Sequence, residues 1–274
     1  MKNEIAILPL LFKSFILSMK LFFRKTGEGQ PILILHGVFG SSDNWFSISK
    51  IFAEKGYAVY ALDARNHGQS PRSEAFSYEL MAADLNGFIT EHQLEKPIII
   101  GHSMGGKTVM HFAMSYPDKF SKLIIVDIAP KFYPAHHSHI IQGLTSIDLE
   151  NLKNRNDAET QLAKYVSNVG ERQFLLKNLY RTENGTFDWR INLPVLSREI
   201  YQIGGDFADT KSVFEPALFL RGSESGYIFD EDIPAIQTIF PNAIIETIEG
   251  AGHWIQAEKP TEFVAAVVDF VEKK

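Results

Sequence analysis

The chain contains no cysteine. That excludes a disulfide framework, a thiolate metal site and a cysteine nucleophile, although the compartment stays open because secreted proteins can also lack cysteine. An excess of basic residues is missing too: 27 Lys and Arg stand against 33 Asp and Glu, a formal charge of −6. A nucleic-acid binder would normally show a basic stripe, so no nucleic-acid partner is expected. The apolar run at residues 5–12 is broken by Pro9 and ended by Lys13, well short of the roughly 20 residues that cross a bilayer. Glu4 spoils the basic start of a signal peptide, and no small-x-small cleavage site follows Leu17. Residues 1–18 therefore read as an extension outside the fold, with Met19-Lys20 able to serve as a start. No stable membrane anchor and a cytoplasmic location are expected. Internal repeats and low-complexity stretches are absent as well.

What is present is an ordinary globular composition. Of 274 residues, 45% are apolar and 22% charged, enough for one large domain or two modest ones. Phenylalanine is frequent at 21, which points to an aromatic-rich core or pocket. Short apolar runs occur at residues 31–35, 58–62, 97–100, 123–126, 217–220 and 244–248, each followed by turn residues. Unalternated runs rich in Ile, Val and Leu suit strands buried on both faces of a parallel sheet. A further strand starts at Leu21 and runs into the turn Thr26-Gly27-Glu28-Gly29. Helical patterns lie between the runs, at 43–55, 78–92, 107–116 and 260–271. The expected class is α/β, a mostly parallel sheet flanked by helices.

The alternation stops between residues 131 and 212. Helix-like stretches at 157–168, 171–180 and 194–203 follow one another there without a convincing buried strand. The expected organisation is a core of residues 19–130 and 213–274, with 131–212 inserted as a helical cap over the strand ends.

Ligands of an open α/β sheet bind at the carboxyl ends of the strands, and three such ends carry reactive residues. The run Ile98-Ile99-Ile100 leads into Gly101-His102-Ser103-Met104-Gly105 and then into a helix. This is G-x-S-x-G in its strand–turn–helix setting, where a sharp turn holds the serine hydroxyl clear of the backbone. The same stretch, read as Gly101 to Gly106-Lys107-Thr108, also matches a phosphate-binding loop, with residues 123–127 as its magnesium-binding strand. An NTPase asks nothing special of the other strand ends. A serine hydrolase asks for an oxyanion hole after an earlier strand and a histidine near the C-terminus. Both are found. After residues 32–35 come His36-Gly37-Val38-Phe39-Gly40, where the Val38 amide can join that of Met104 in facing an oxyanion. After the last strand, Glu249-Gly250-Ala251-Gly252-His253 puts His253 where the general base belongs. His36 reads as a structural residue shaping its turn.

Together these features resemble the α/β-hydrolase fold superfamily, in particular its capped esterase and thioesterase branch, from residue 21 to residue 271. The segment Asp63-Ala64-Arg65-Asn66-His67-Gly68-Gln69-Ser70 is similar to a turn of that superfamily and is expected to brace the elbow rather than react. In much of the family the acid follows the penultimate strand, three residues after a glycine, and that place holds Ser225. A serine cannot balance an imidazolium. The candidates are Glu224, which is adjacent but would point away, and Asp127, at the end of the strand after the elbow helix. Small bacterial esterases and their mitochondrial relatives resemble this chain in carrying Asp at that strand end and Ser at the later one, and in the run Val126-Asp127-Ile128-Ala129-Pro130. The resemblance assigns Asp127 as the acid, with Ser225 hydrogen-bonding beside the triad.

The expected chemistry is hydrolysis of carboxylic esters or acyl thioesters of short to medium acyl chains through an acyl-enzyme, with no metal or cofactor. The partner is a small-molecule ester or thioester, and the protein is a monomer or homodimer. Alternatives on the same fold are C–C bond hydrolases, peroxidase-like esterases and lyases; another class is a slow-turnover ligand-binding receptor. Dehalogenases and epoxide hydrolases are disfavoured, since that chemistry uses an Asp where this chain has Ser103. His136-His137-Ser138-His139 lacks a spaced carboxylate partner and reads as part of a cap entrance rather than a metal site. The segment 131–212 carries ten basic and ten acidic residues, which gives no support for polyanionic substrates, although Arg172, Lys177 and Arg181 could form a local patch.

Overall fold

A computed structural model describes residues 18–134, 137–207 and 211–273. The N-terminal extension up to residue 17, and His136, lie outside the described residues. Seven strands form the main sheet: β1 (Phe23–Thr26), β2 (Gln30–Leu35), β3 (Tyr57–Leu62), β4 (Ile98–His102), β5 (Lys122–Val126), and, after the insertion, β8 (Ala217–Gly222) and β9 (Ala243–Ile248). Their order is β1-β3-β2-β4-β5-β8-β9. β1 pairs antiparallel with β3 at one edge, and the other pairings are parallel.

The unalternated apolar runs have a direct cause. Ile32, Ile34, Ile98 and Ile100 face one layer, packed with Trp45, Phe52 and Phe263. Leu33, Leu35 and Ile99 face the other, with Phe88, Phe112 and Phe240. Helices cover both sides, so successive residues of a strand meet hydrocarbon rather than water. α1 (Phe46–Glu54), α9 (Ile255–Glu258) and α10 (Pro260–Glu272) accompany the first layer; α2 (Tyr78–Glu91), α3 (Met104–Ser115) and α8 (Ile233–Ile239) accompany the second. Phenylalanines are prominent in both layers, among them Phe120, Phe219 and Phe270.

Between β5 and β8 lie α4 (Ser138–Thr145), α5 (Arg155–Leu162), α6 (Val169–Leu176), the strands β6 (Leu179–Arg181) and β7 (Phe187–Trp189), and α7 (Leu193–Ile203). They share an apolar cluster that includes Leu162, Trp189, Val195 and Leu196 and reaches Val38, Phe39 and Met104 of the sheet domain. Residues 131–212, expected as a helical cap, include the two short strands β6 and β7 besides their helices. The predicted helix at 171–180 ends at Leu176, and Leu179 turns to pair with Trp189 in an antiparallel hairpin. Strands of three residues are too short to show a period of two. The hairpin's own signal is Asn184-Gly185, with Gly185 at φ +83°, a turn that glycine favours.

Candidate active site

Ser103 stands between β4 and α3 with φ +54° and ψ −116°. For a non-glycine residue this is a strained conformation, costing on the order of 1–3 kcal/mol. Two backbone bonds hold it: the Ser103 amide donates to Val126 O at 3.1 Å, and Lys107 N donates to Ser103 O at 3.0 Å. The neighbouring glycines are required by close approach. A Cβ on Gly101 would lie 2.4 Å from Gly105 O, and one on Gly105 would lie 2.3 Å from Leu35 O. Met104 opens α3, so its amide has no acceptor within the helix.

The loop after β2 comes up against the same serine. A Cβ on Gly37 would lie 3.2 Å from the Ser103 Cβ, and Val38 lines a cavity with Ser103. His36 is buried and neutral: its Nδ1–H donates to Gly37 O at 2.8 Å, while Nε2 accepts the Ala64 amide at 3.0 Å. Burial pushes its pKa down to about 4. It ties the β2 and β3 loops together, in keeping with a structural role.

Asp127 follows β5 with φ +50° and is fully buried. Its Oδ2 accepts from His253 Nδ1 at 2.7 Å, across 126 positions of sequence. The Ser225 hydroxyl donates to that same oxygen, and the Gly222 amide donates to Oδ1 at 3.2 Å. Burial raises the Asp127 pKa to about 6, against the opposite pull of the Ser225 and Gly222 donors. Glu224, the other candidate acid, is exposed, and its amide is spent on Ala251 O. The structure thus gathers Ser103, Asp127, His253 and Ser225 from four strand ends, and leaves Glu224 outside.

Several residues that fix this geometry were not singled out from sequence. His102, the variable residue before the serine, donates from Nε2 to the His253 carbonyl at 2.8 Å; burial pushes its pKa down to about 3, so it stays neutral. Glu258 accepts from the Gly252 amide at 2.6 Å and the Trp254 amide at 3.2 Å, bracketing His253 from α9. The Tyr227 ring stacks on the His253 imidazole at 3.9 Å. Tyr227 is in turn held by Tyr133, whose hydroxyl donates to the Tyr227 carbonyl at 2.7 Å and accepts from the Ala129 amide at 2.8 Å.

The segment from Asp63 to Ser70 is bracing. Asp63 accepts the Ser42 amide at 2.6 Å and the Gln69 amide at 2.8 Å, while Arg65 pairs with buried Asp84 through two bonds of 2.7 and 2.9 Å. His67 is fully buried, and its pKa is pushed down to about 3. Lys107, which gave the stretch its likeness to a phosphate loop, points elsewhere. Its ammonium donates to Lys131 O at 2.9 Å, Gly204 O at 3.2 Å and Gly205 O.

Ser103, His102 and His253 line a cavity of about 470 Å³ beneath α6 and the loop after β2. His137 lines it as well, while His139 lies in the first turn of α4. The suggested basic patch does not assemble there. Lys177 lines the cavity together with Glu171 and Glu258, but Arg172 pairs with Glu159 at 3.3 Å and Arg181 is spent on the Gly185 and Lys153 carbonyls. Among the described residues, no helix is long and apolar enough to cross a membrane.

A profile of the α/β-hydrolase fold family matches residues 30–174. The chain is 40% identical over 259 residues to an sn-1-specific diacylglycerol lipase, ABHD11, of Danio rerio, covering 91% of this chain and 81% of that protein. It is 34% identical over 255 residues to esterase YbfF of Escherichia coli strain K12, covering 91% and 98%. Among solved structures, a marine microorganism esterase superposes with a TM-score of 0.90 at 48% identity, covering 92% of this chain and all of that one.

Proposed function

Because the chain belongs to the α/β-hydrolase fold family, we propose that it is a serine hydrolase of carboxylic esters, with Ser103 as nucleophile, His253 as base and Asp127 as acid. The observation that carries this reading is the 2.7 Å bond from His253 Nδ1 to a buried Asp127, in a cavity that Ser103 shares with His253. The bond to Nδ1 leaves Nε2 as the basic nitrogen. Relatives named as lipase and esterase support ester substrates.

In the first half-reaction, His253 Nε2 takes the Ser103 proton while Oγ attacks the carbonyl carbon. The Val38 and Met104 amides receive the developing oxyanion; one such donor is worth about 2.7–4 kcal/mol of transition-state stabilisation. The imidazolium, balanced by Asp127, passes its proton to the leaving oxygen as the tetrahedral intermediate collapses to the acyl-enzyme. In the second half, water attacks the acyl carbon, giving its proton to His253, which returns it to Ser103. None of these steps calls on a metal or cofactor. Acyl thioesters obey the same arithmetic with sulfur leaving, and acyl chains of short to medium length complete the reading. Residues 131–212 act as a cap over the site.

A fluorophosphonate probe tests the assignment. It should modify Ser103 alone, seen as a single adducted peptide by mass spectrometry, and Ser103→Ala should remove both labelling and p-nitrophenyl ester turnover without loss of the folded circular-dichroism spectrum. Labelling elsewhere, or substantial turnover by Ser103→Ala, would overturn it. A slow-turnover receptor would instead give one burst of nitrophenol and then stop.

A further inference from the structure

Ser103 stands between two cavities of very unequal size. One is the cavity of about 470 Å³, lined by Val38 and His253. The other is a pocket of about 20 Å³, walled by Met104, Ile128, Tyr133, Ile200, Ile203 and Tyr227. A space of about 10–15 Å³ on this measure takes a single water-sized group, so the pocket receives one or two heavy atoms.

The proposed proton path says which half of a substrate goes where. His253 must deliver its proton to the leaving oxygen or sulfur, so the leaving group has to lie on the His253 side of the carbonyl carbon. His253 lines the large cavity and not the small pocket. The acyl substituent, on the other bond of the same carbon, then falls into the small pocket. The proposed oxyanion donors agree, since Val38 borders the large cavity and Met104 the small one.

The pocket walls are tied down. The Tyr78 hydroxyl donates to Ile203 O at 2.7 Å. The Lys107 ammonium is bound to the Gly204 and Gly205 carbonyls immediately beyond Ile203. The Tyr133 hydroxyl is held by Ala129 and Tyr227. A longer acyl chain would have to displace these bonds as well as apolar contacts.

We infer that the substrates are esters or thioesters of a very short acid, acetyl or propionyl in size, with a bulky alcohol or thiol. This inference rests on the serine-hydrolase reading and adds to it the division of the substrate across Ser103.

The test is a chain-length series on the unaltered protein: kcat/KM for the p-nitrophenyl esters of acetate, propionate, butyrate, hexanoate and octanoate. The expected result is a drop of tenfold or more between propionate and butyrate, against the usual gain from added methylenes, with octyl acetate cleaved far faster than methyl octanoate, both having alkoxide leaving groups. Ile203→Ala, which opens one wall, should raise the hexanoate-to-acetate ratio of kcat/KM by tenfold or more. A flat or rising series to octanoate, or preference for methyl octanoate over octyl acetate, would overturn the inference by placing the acyl chain in the large cavity. If Ile203→Ala does not fold, the series on the unaltered protein decides alone. Retained hydrolysis in Ser103→Ala is a separate result, removing the underlying reading and this one with it.

Discussion

The Ser225 hydroxyl and the His253 imidazole donate to one and the same oxygen of Asp127. The serine therefore stabilises the ionised carboxylate that the proposed mechanism needs, in a site where burial lifts the Asp127 pKa to about 6. The active state has Asp127 charged and His253 neutral, and one added proton on the pair stops the cycle. Activity should fall as pH drops through about 6. Ser225→Ala removes a donor to the charged form and should move that acid limb upward by about one unit, since a hydrogen bond to a charged group is worth about 1.5–3 kcal/mol. The pH dependence of kcat/KM measures it; an unmoved or lowered limb would deny Ser225 this role.

Asp127→Asn keeps the shape of the site but removes its charge and offers the imidazole an amide. Turnover should drop by on the order of 10⁴-fold, the cost of losing the acid in a serine triad. Glu224 is exposed, so Glu224→Gln should change turnover by less than about twofold. Measuring kcat for both variants ranks the two carboxylates directly, and the reverse ranking would move the acid to the loop after β8.

How much of this was legible in the sequence follows from where each signal originates. β2, β4 and β5 are readable because burial on both faces writes an unbroken apolar run. The elbow is readable because its glycines and serine sit within five residues. Asp127 needed a resemblance, because nothing local marks one strand-end carboxylate as facing a histidine 126 positions away. Tyr227, Glu258 and His102 position His253 through contacts that exist only after folding, and their surroundings in sequence are unremarkable. Lys107 shows the opposite hazard: a motif with a clear chemical reading, whose side chain is turned by burial toward carbonyls rather than phosphates.

Lys107 links both chain crossings between the sheet domain and the insertion. Lys131 lies where the chain leaves, and Gly204 and Gly205 where it returns at the C-terminal end of α7, and all three carbonyls accept from one buried ammonium. A cation there also meets the negative end of the helix dipole. Lys107→Met keeps the stem and deletes the charge, taking this donor from the Lys131 and Gly205 carbonyls and leaving Gly204 O with the Tyr133 amide alone. The loss of charged hydrogen bonds outweighs the relief of burying no charge, and unfolding stability should fall by about 2 kcal/mol or more. Limited proteolysis should speed up near residues 131 and 205. A urea midpoint equal to that of the unaltered protein would show that the clamp contributes nothing.

Three buried histidines and the half-buried His111 make the fold sensitive to acid. His36 and His111 are pushed down to about 4, and His67 and His102 to about 3, all four chiefly by burial. Their unfolded value is near 6.5, so between about 6.5 and 4 the unfolded chain binds protons that the native one refuses. Stability must then fall as pH falls through that window. Asp127 and Asp84 act the other way, because burial raises both and the native state takes up protons first. The four imidazoles outnumber the two opposing carboxylates, so the net slope follows the histidines, and each proton that the unfolded chain binds in excess is worth about 1.4 kcal/mol per pH unit. The urea midpoint should therefore be clearly lower at pH 5 than at pH 7.5. His111 isolates one member of the set: it is stacked between Tyr78 at 5.2 Å and Phe207 at 4.3 Å, two turns along α3 from Ser103. His111→Phe preserves the stack and removes one titrating ring, so the slope should flatten by about one proton. An unchanged slope would show that this ring already accepts its proton in the folded state.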